Sequence, residues 1–209
     1  MIDISLTDFV DFVIKAGSPK LTKVRELVNR GQYSPATDFW RPLREHLPQT
    51  HRASVGLDSI LNGIDARKKR RYEGALVGYK KFLRKNGNTS YFDPPSERWV
   101  DSGLSVRVNP ELGLLIDGER YVVKLYFKDE EPTPYRLDAV LELMRVALRK
   151  GRFEDVKVAV LDVAKGKLIV ATKENPEFSL LLTGEAASFV KMWDAMRLRK
   201  NGESKRASA

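Results

Sequence analysis

The sequence predicts an α+β fold, in which an N-terminal helical part precedes a mixed sheet with an antiparallel meander flanked by helices. Apolar residues recur every three or four positions at the start of the chain and again in two later segments, which is the spacing of one helix face. From about residue 104 they alternate with polar residues instead, as they do in strands. We therefore expect a helical N-terminal part over 1–64, an α+β core over 65–196 and a basic, disordered tail over 197–209.

The helical part begins with two short amphipathic helices. An apolar stripe over 6–14 predicts the first, with Ser5 as its N-cap, and a second stripe covers 21–28. A third helical segment is expected to open at Ser34 and Pro35, because proline is favoured in the first turn of a helix.

Residues 65–86 form the clearest predicted helix, and it is strongly basic. The range 65–90 holds nine Lys and Arg against two acids, a net +7, while the whole chain carries +9. Charge concentrated in this way indicates a polyanionic partner, DNA or RNA, although a solvated helix face has the same composition. The residues expected to contact phosphates are Arg67, Lys68, Arg70, Arg71, Lys81, Arg84 and Lys85.

Two further features belong to this region. Gly74 and Gly78 lie four residues apart, and such a pair permits another backbone to approach the helix closely, at a cost of about 1 kcal/mol each in helix propensity. Tyr91 and Phe92 follow in a connector over 87–98 that is rich in Gly and Pro. They are the aromatic residues best placed to stack on the bases of a single strand.

Besides the basic helix, the core is expected to contain five strands and two further helices. The helices are predicted from Pro132 or Pro134 to a stop at Gly151, and from Thr183 to about Met196. The meander is predicted over about 103–128, with strands at 104–108, 112–116 and 121–127, and the other two strands near 156–163 and 167–172.

The hairpin inside the meander fixes a register. Asp117 and Gly118 both tolerate positive φ and fit a two-residue turn. Paired residue numbers then sum to 235, so Glu111 is predicted to pair with Lys124 unless a bulge at Gly113 shifts the register by one.

Several classes of protein are disfavoured. The chain has no cysteine and only two histidines, which excludes disulfides and thiolate metal sites, and we expect His46 and His51 to be surface or packing residues. No Gly-rich phosphate loop or serine-hydrolase motif is present. No segment approaches the ~18–20 apolar residues of a membrane span, and the N-terminus lacks the basic region of a signal peptide. These observations predict a cytoplasmic protein without a membrane partner.

Three residues of the predicted core carry a resemblance. Glu111, in a Pro-Glu pair, precedes the second strand of the meander, Lys124 lies in the third, and Glu73 lies on the preceding helix. With the element order over about 65–163, they resemble the core of the PD-(D/E)XK nuclease superfamily. This resemblance implies that Glu111 and Glu73 hold Mg²⁺ or Mn²⁺ and that Lys124 orients water or phosphate. Val122 departs from the pattern, because members carry an acid two residues before the lysine.

The same residues also have structural interpretations. Glu111 fits a turn, Lys124 fits a solvated strand face, and Glu73 fits a helical ion pair with Lys69 or Arg70. An active nuclease, an inert nuclease-like core that binds nucleic acid and an unrelated α+β core all stay open.

The competing function is protein interaction or homo-oligomerisation. Large aromatic side chains are the usual anchors of such surfaces, and the candidates here are Trp40, Trp99 and Trp193. The segments 39–44, 107–113 and 124–128 also resemble a family of uncharacterised bacterial proteins of about this size, which implies no function.

Overall fold

Two β-sheets with helices packed around them make up the fold. The computed structural model of the protein describes residues 1–31, 38–171 and 175–207. Within these residues the helices are α1 (Leu6–Val13), α2 (Ser18–Asn29), α3 (Arg41–Arg52), α4 (Ala66–Lys85), α5 (Pro134–Leu148) and α6 (Pro176–Ala207), with 3₁₀ turns at Leu57–Leu61 and Gly151–Phe153. The strands are β1 (Ile2–Ser5), β2 (Thr89–Phe92), β3 (Glu97–Asp101), β4 (Leu104–Val108), β5 (Leu112–Ile116), β6 (Glu119–Tyr126), β7 (Lys157–Asp162) and β8 (Lys167–Val170). The predicted α+β class is confirmed.

The strands are divided between a small sheet and a large one. The small sheet has the order β1-β4-β3, with β1 parallel to β4 and β3 antiparallel to it. The large sheet has the order β2-β5-β6-β7-β8, in which only the β6–β7 pair is parallel. Helix α5 makes the crossover from β6 to β7, as a parallel connection requires.

The predicted hairpin has the predicted register. Asp117 and Gly118 have φ of 49° and 85° and form the turn between β5 and β6. Ile116 pairs with Glu119 and Leu112 with Val123, so that paired numbers sum to 235 and Gly113 introduces no bulge. The predicted N-cap of the first helix is also confirmed, since Ser5 accepts a hydrogen bond from Asp8 N.

The composition of the meander was predicted wrongly. Strand β4 belongs to the small sheet, and the third antiparallel strand beside β5 is β2, which lies in the predicted connector. The chain leaves the large sheet after β2, forms the β3–β4 hairpin and returns at Asn109 and Pro110, where a proline cannot continue a strand ladder. Strands β2 and β3 were missed because each is short and lacks apolar alternation, and β1 was missed because its alternation covers only four residues directly before the first helix.

The large sheet is covered on both faces. One face packs with α1, α2, α5, α6 and the small sheet, through buried residues such as Phe12, Val122 and Phe189. The other face packs with α3 and α4, through Leu43, Tyr79 and Leu125. Residues 1–64 therefore contribute to both apolar clusters and add β1 to the small sheet.

Both ends of the last helix differ from the prediction. Helix α6 begins at Pro176 and continues to Ala207, so residues 197–207 are helical where a disordered tail was expected. Asn175, whose side chain accepts a hydrogen bond from Phe178 N, supplies an earlier start signal than Thr183. The predicted helix start at Ser34 and Pro35 lies outside the described residues. None of the described helices combines the length and apolar character that crossing a membrane requires.

One of the two glycines of α4 makes the expected close contact. A Cβ at Gly78 would lie 2.0 Å from Val163 O and 2.4 Å from Ala164 O, in the turn between β7 and β8. A Cβ at Gly166, in the same turn, would lie 2.3 Å from Gly78 O. A Cβ at Gly74 would meet no atom within 4 Å.

Candidate functional site

Glu111 and Lys124 meet at the end of the β5–β6 hairpin. Lys124 Nζ lies 2.5 Å from Glu111 Oε1 and donates a second hydrogen bond to Asn109 O at 3.1 Å. Leu125 N donates to Glu111 Oε2 at 2.8 Å. The two side chains are only 10% and 19% exposed, for Glu111 and Lys124 respectively. The predicted contact therefore forms, as an ion pair in which both carboxylate oxygens already accept a hydrogen bond.

Glu73 does not join this pair. It lies on the exposed side of α4, opposite the stripe that packs on the sheet, and no hydrogen bond or ion pair among the described residues links it to Glu111 or Lys124. It also forms no ion pair with Lys69 or Arg70 there. The helix is turned this way because its apolar positions, among them Tyr72, face the sheet.

The described residues do not fit a divalent metal centre. Mg²⁺ and Mn²⁺ need several oxygen ligands, and no group of three or more His, Asp or Glu side chains suited to a metal ion occurs among these residues. Of the two carboxylates that the resemblance assigns to the metal, only that of Glu111 lies at the pair, and Lys124 Nζ and Leu125 N already hold it. Val122, at the position of the missing acid, is fully buried in the apolar cluster on the α5 side of the sheet.

A cleft of about 520 Å³ opens between α3 and the Glu111 corner. Arg52 crosses it, with an ion pair to Asp93 and a hydrogen bond of 3.0 Å to Tyr91 Oη. The other charged residues that line it are similarly paired, Arg44 with Asp38 and Glu45 with Arg41. The cleft is therefore polar but close to electroneutral.

The outer face of α4 is different, because most of its cations lack an acidic partner in the part of the chain that the structure describes. Arg67, Arg71 and Lys80 do form ion pairs, with Asp65 at 3.5 Å, Asp129 at 3.1 Å and Asp58 at 2.7 Å. Lys68 is half-buried over the ring of Phe39, 5.6 Å from its centroid. The exposed cations of α4 without an ion-pair partner among the described residues are Lys69, Arg70, Lys81, Arg84 and Lys85.

The N-terminal end of α4 and the Glu111–Lys124 pair lie at the same end of the large sheet. The ion pair of Arg71 with Asp129 joins α4 to the chain just after β6, and Trp40 stacks on both Tyr72 and Phe127 there. Lys124 lies three residues before Phe127. The basic face therefore begins at the end of the sheet that carries the pair.

Both histidines pack, as expected. His46 Nε2 contacts Leu57 O at 3.0 Å, and His51 Nε2 contacts Tyr79 Oη at 2.6 Å. Burial holds the pKa of His51 below its usual range and raises that of Tyr79. These contacts tie α3 to the 3₁₀ turn at Leu57–Leu61 and to α4.

The aromatic candidates are half-buried within the chain. Tyr91 stacks on His51 and Phe92 on Phe153. The three tryptophans also pack internally, since Trp40 lies between Tyr72 and Phe127, Trp99 stacks on Phe9 and Trp193 contacts Phe189.

Lys69 was not among the predicted phosphate contacts, although its position on the polar side of the helix stripe could have identified it.

No protein-family model matches this chain, and neither does any curated protein sequence.

Proposed function

We propose that the protein binds nucleic acid, and that it contacts phosphates through the outer face of α4. The observation that carries this proposal is a row of five exposed cations that have no acidic partner among the described residues, Lys69 and Arg70 early in α4 and Lys81, Arg84 and Lys85 near its end. A protein normally pairs or disperses such charges, because like charges repel. A partner with a regular array of negative charge would compensate them.

The length of the row suits a polyphosphate backbone. At 1.5 Å per residue, the 16 steps from Lys69 to Lys85 span about 24 Å. This distance corresponds to about seven base pairs of duplex at 3.4 Å each. Long cationic side chains on a helix face contact phosphates without reading bases, so sequence-independent binding is expected.

An inert nuclease-like core is the form of this proposal that the geometry favours. The order α4, antiparallel β2-β5-β6, α5 and parallel β7 supports the resemblance to the PD-(D/E)XK core. The ion pair of Glu111 with Lys124 and the exposed position of Glu73 support loss of metal chemistry. The proposal places the protein in the cytoplasm, with DNA or RNA as its partner.

The competing proposal, an oligomerisation or protein-interaction module, has weaker support. The rings of its candidate anchors, Trp40, Trp99 and Trp193, already pack against aromatic side chains of the same chain. Light scattering of the pure protein tests this alternative directly.

Binding is tested with two matched double variants. Arg70→Gln with Arg84→Gln removes two exposed cations from α4, and Arg25→Gln with Lys191→Gln removes two exposed cations from α2 and α6; none of the four has an ion-pair partner within the described part of the chain. Each cation that leaves a phosphate contact should flatten the slope of log affinity against log salt by about 0.9 on duplex DNA. Anisotropy of labelled DNA and RNA should therefore show a slope flatter by about 1.8 for the first variant only.

Equal slopes for both variants would place the binding surface elsewhere, and no binding at low salt would end the proposal.

A second assay addresses catalysis. Labelled DNA and RNA are incubated with Mn²⁺ and either the native protein or Lys124→Ala. Cleavage by the native protein alone would contradict an inert core and restore the nuclease interpretation.

A further inference from the structure

A second cleft, of about 490 Å³, lies beside the edge strand β2. Arg120, Leu115, Phe92 and Phe153 are among its lining residues. Arg120 lies on β6 four residues before Lys124, or about 13 Å along the strand. Phe92 and Phe153 pack on the α5 side of the large sheet, whereas α4 packs on the other side. This cleft is therefore separate from the basic face of α4.

Three flat groups are stacked at the cleft. The rings of Phe92 and Phe153 lie 6.2 Å apart at an angle of 25°, and the Arg152 guanidinium lies over Phe153, 4.8 Å from its centroid. Gly113 makes room for this stack, because a Cβ there would come within 2.8 Å of the Phe92 ring. The half-buried rings and the exposed guanidinium form a platform on which a further flat ring can stack.

The cleft also carries uncompensated positive charge. The register pairs Arg120 with Leu115, which is 36% exposed, so Arg120 has an open apolar side chain as its cross-strand neighbour. Neither Arg120 nor Arg152 has an ion-pair partner among the described residues. Asp93 also lines the cleft, but it is already paired with Arg52. A ligand with both a flat ring and an anionic group would use both features.

We propose that this cleft binds a nucleoside 5′-monophosphate, with the base on the Arg152–Phe153 stack and the phosphate at Arg120. Guanidinium groups match phosphate oxygens with two parallel hydrogen bonds. The cleft volume lies within the usual range of small-molecule sites, about 300–1,000 Å³. A free nucleotide and the 5′-terminal nucleotide of a strand present the same chemistry. The proposal does not depend on phosphate binding by α4, since the two surfaces lie on opposite faces of the sheet.

Calorimetry of the full chain with AMP, adenosine and inorganic phosphate tests the proposal. AMP should bind at least about tenfold more tightly than either fragment, because only AMP engages the platform and Arg120 together. Arg120→Gln and Arg152→Gln should each weaken AMP binding by about tenfold. Arg25→Gln on α2 is the matched control and should leave binding unchanged. Arg25 and Arg152 are exposed and Arg120 is half-buried, and unchanged melting temperatures will verify that the variants are folded.

Failure of AMP to bind at millimolar concentration would overturn the proposal, and so would equal affinities for AMP and inorganic phosphate, or full binding by Arg120→Gln. The α4 double variant, Arg70→Gln with Arg84→Gln, should bind AMP with native affinity. A weaker affinity would contradict the separation of the two surfaces. Competition against labelled AMP then identifies the source of the ligand. Displacement by a 5′-phosphorylated oligonucleotide, but not by its unphosphorylated form, would support a strand end, whereas displacement by neither would support a free nucleotide.

Discussion

Replacing Gly78 with alanine should destabilise the protein, whereas the same replacement at Gly74 should stabilise it. Both glycines lie inside α4, and both gain about 0.5–1 kcal/mol of helix propensity from a methyl group. At Gly74 nothing opposes this gain, because no atom lies within 4 Å of the new Cβ. At Gly78 the methyl group would lie 2.0 Å from Val163 O, inside the backbone turn that follows β7.

The size of the effect follows from this contact. Carbon and carbonyl oxygen normally approach no closer than about 3.3 Å, so helix and turn must separate by about 1.3 Å. The obstacle is backbone and cannot rotate away like a side chain, and Gly166 packs back against Gly78 O. Overpacking of this kind costs about 3 kcal/mol or more, so a net loss of at least about 2 kcal/mol is expected for Gly78→Ala.

Thermal unfolding of the two variants beside the native protein measures the difference. In a chain of this length about 1 kcal/mol corresponds to about 2–4 °C. Gly78→Ala should therefore melt about 4–8 °C lower, and Gly74→Ala about 1–4 °C higher. Shifts of the same sign and similar size at both positions would refute the argument from backbone contact.

Three further predictions concern ionisable side chains. Lys124→Met leaves the Glu111 carboxylate, which is 10% exposed, without its cation. The free energy of unfolding in urea should fall by about 2 kcal/mol. Adding Glu111→Gln in a double variant should restore part of this loss. Burial alone would raise the pKa of Asp11, but the hydrogen bond and charge of Arg136, with a second nearby cation, hold that pKa below its usual range. The ionised form therefore adds stability above about pH 4, and this stability is lost as the pH falls through the lowered pKa. Asp11→Asn should lose stability less steeply than the native protein between pH 5 and 3, and an equally steep loss would contradict this assignment. Burial lowers the pKa of His51, so the unfolded chain takes up the proton first as the pH falls below about 6.5. The native protein should therefore lose stability from pH 7 to 5. A His51→Gln variant whose stability falls with the same slope against pH would contradict this.

Local signals predicted much of the fold and one contact of the site. The turn residues Asp117 and Gly118 determine their own backbone angles, and a two-residue turn leaves one register for the strands around it. The contact of Glu111 with Lys124 follows from that register. The amphipathic stripe of α4 was similarly readable, because an apolar face must be buried.

Contacts between distant segments were not predictable in this way. The parallel pairing of β1 with β4 joins residues about a hundred positions apart, and nothing in either segment specifies the other. The acids that neutralise Arg71 and Lys80 are Asp129, in the loop after β6, and Asp58, in the 3₁₀ turn before α4, and the positions of both segments depend on the whole fold. Glu73 is a different case, since the stripe itself places this residue on the exposed side.

The pairing of β1 with β4 has a consequence for how the chain is made. Ile2 pairs with Leu104, so the first strand must wait for 102 further residues before its partner has left the ribosome. At about 5–20 residues per second this wait lasts on the order of 5–20 s. During that time Ile2 and Ile4 are an unpaired edge open to other nascent chains, and the charge of Asp3 between them opposes such pairing. The role of Asp3 therefore changes as the chain folds. In the finished sheet its carboxylate binds Arg98 and Arg107, which emerge only with the late strands.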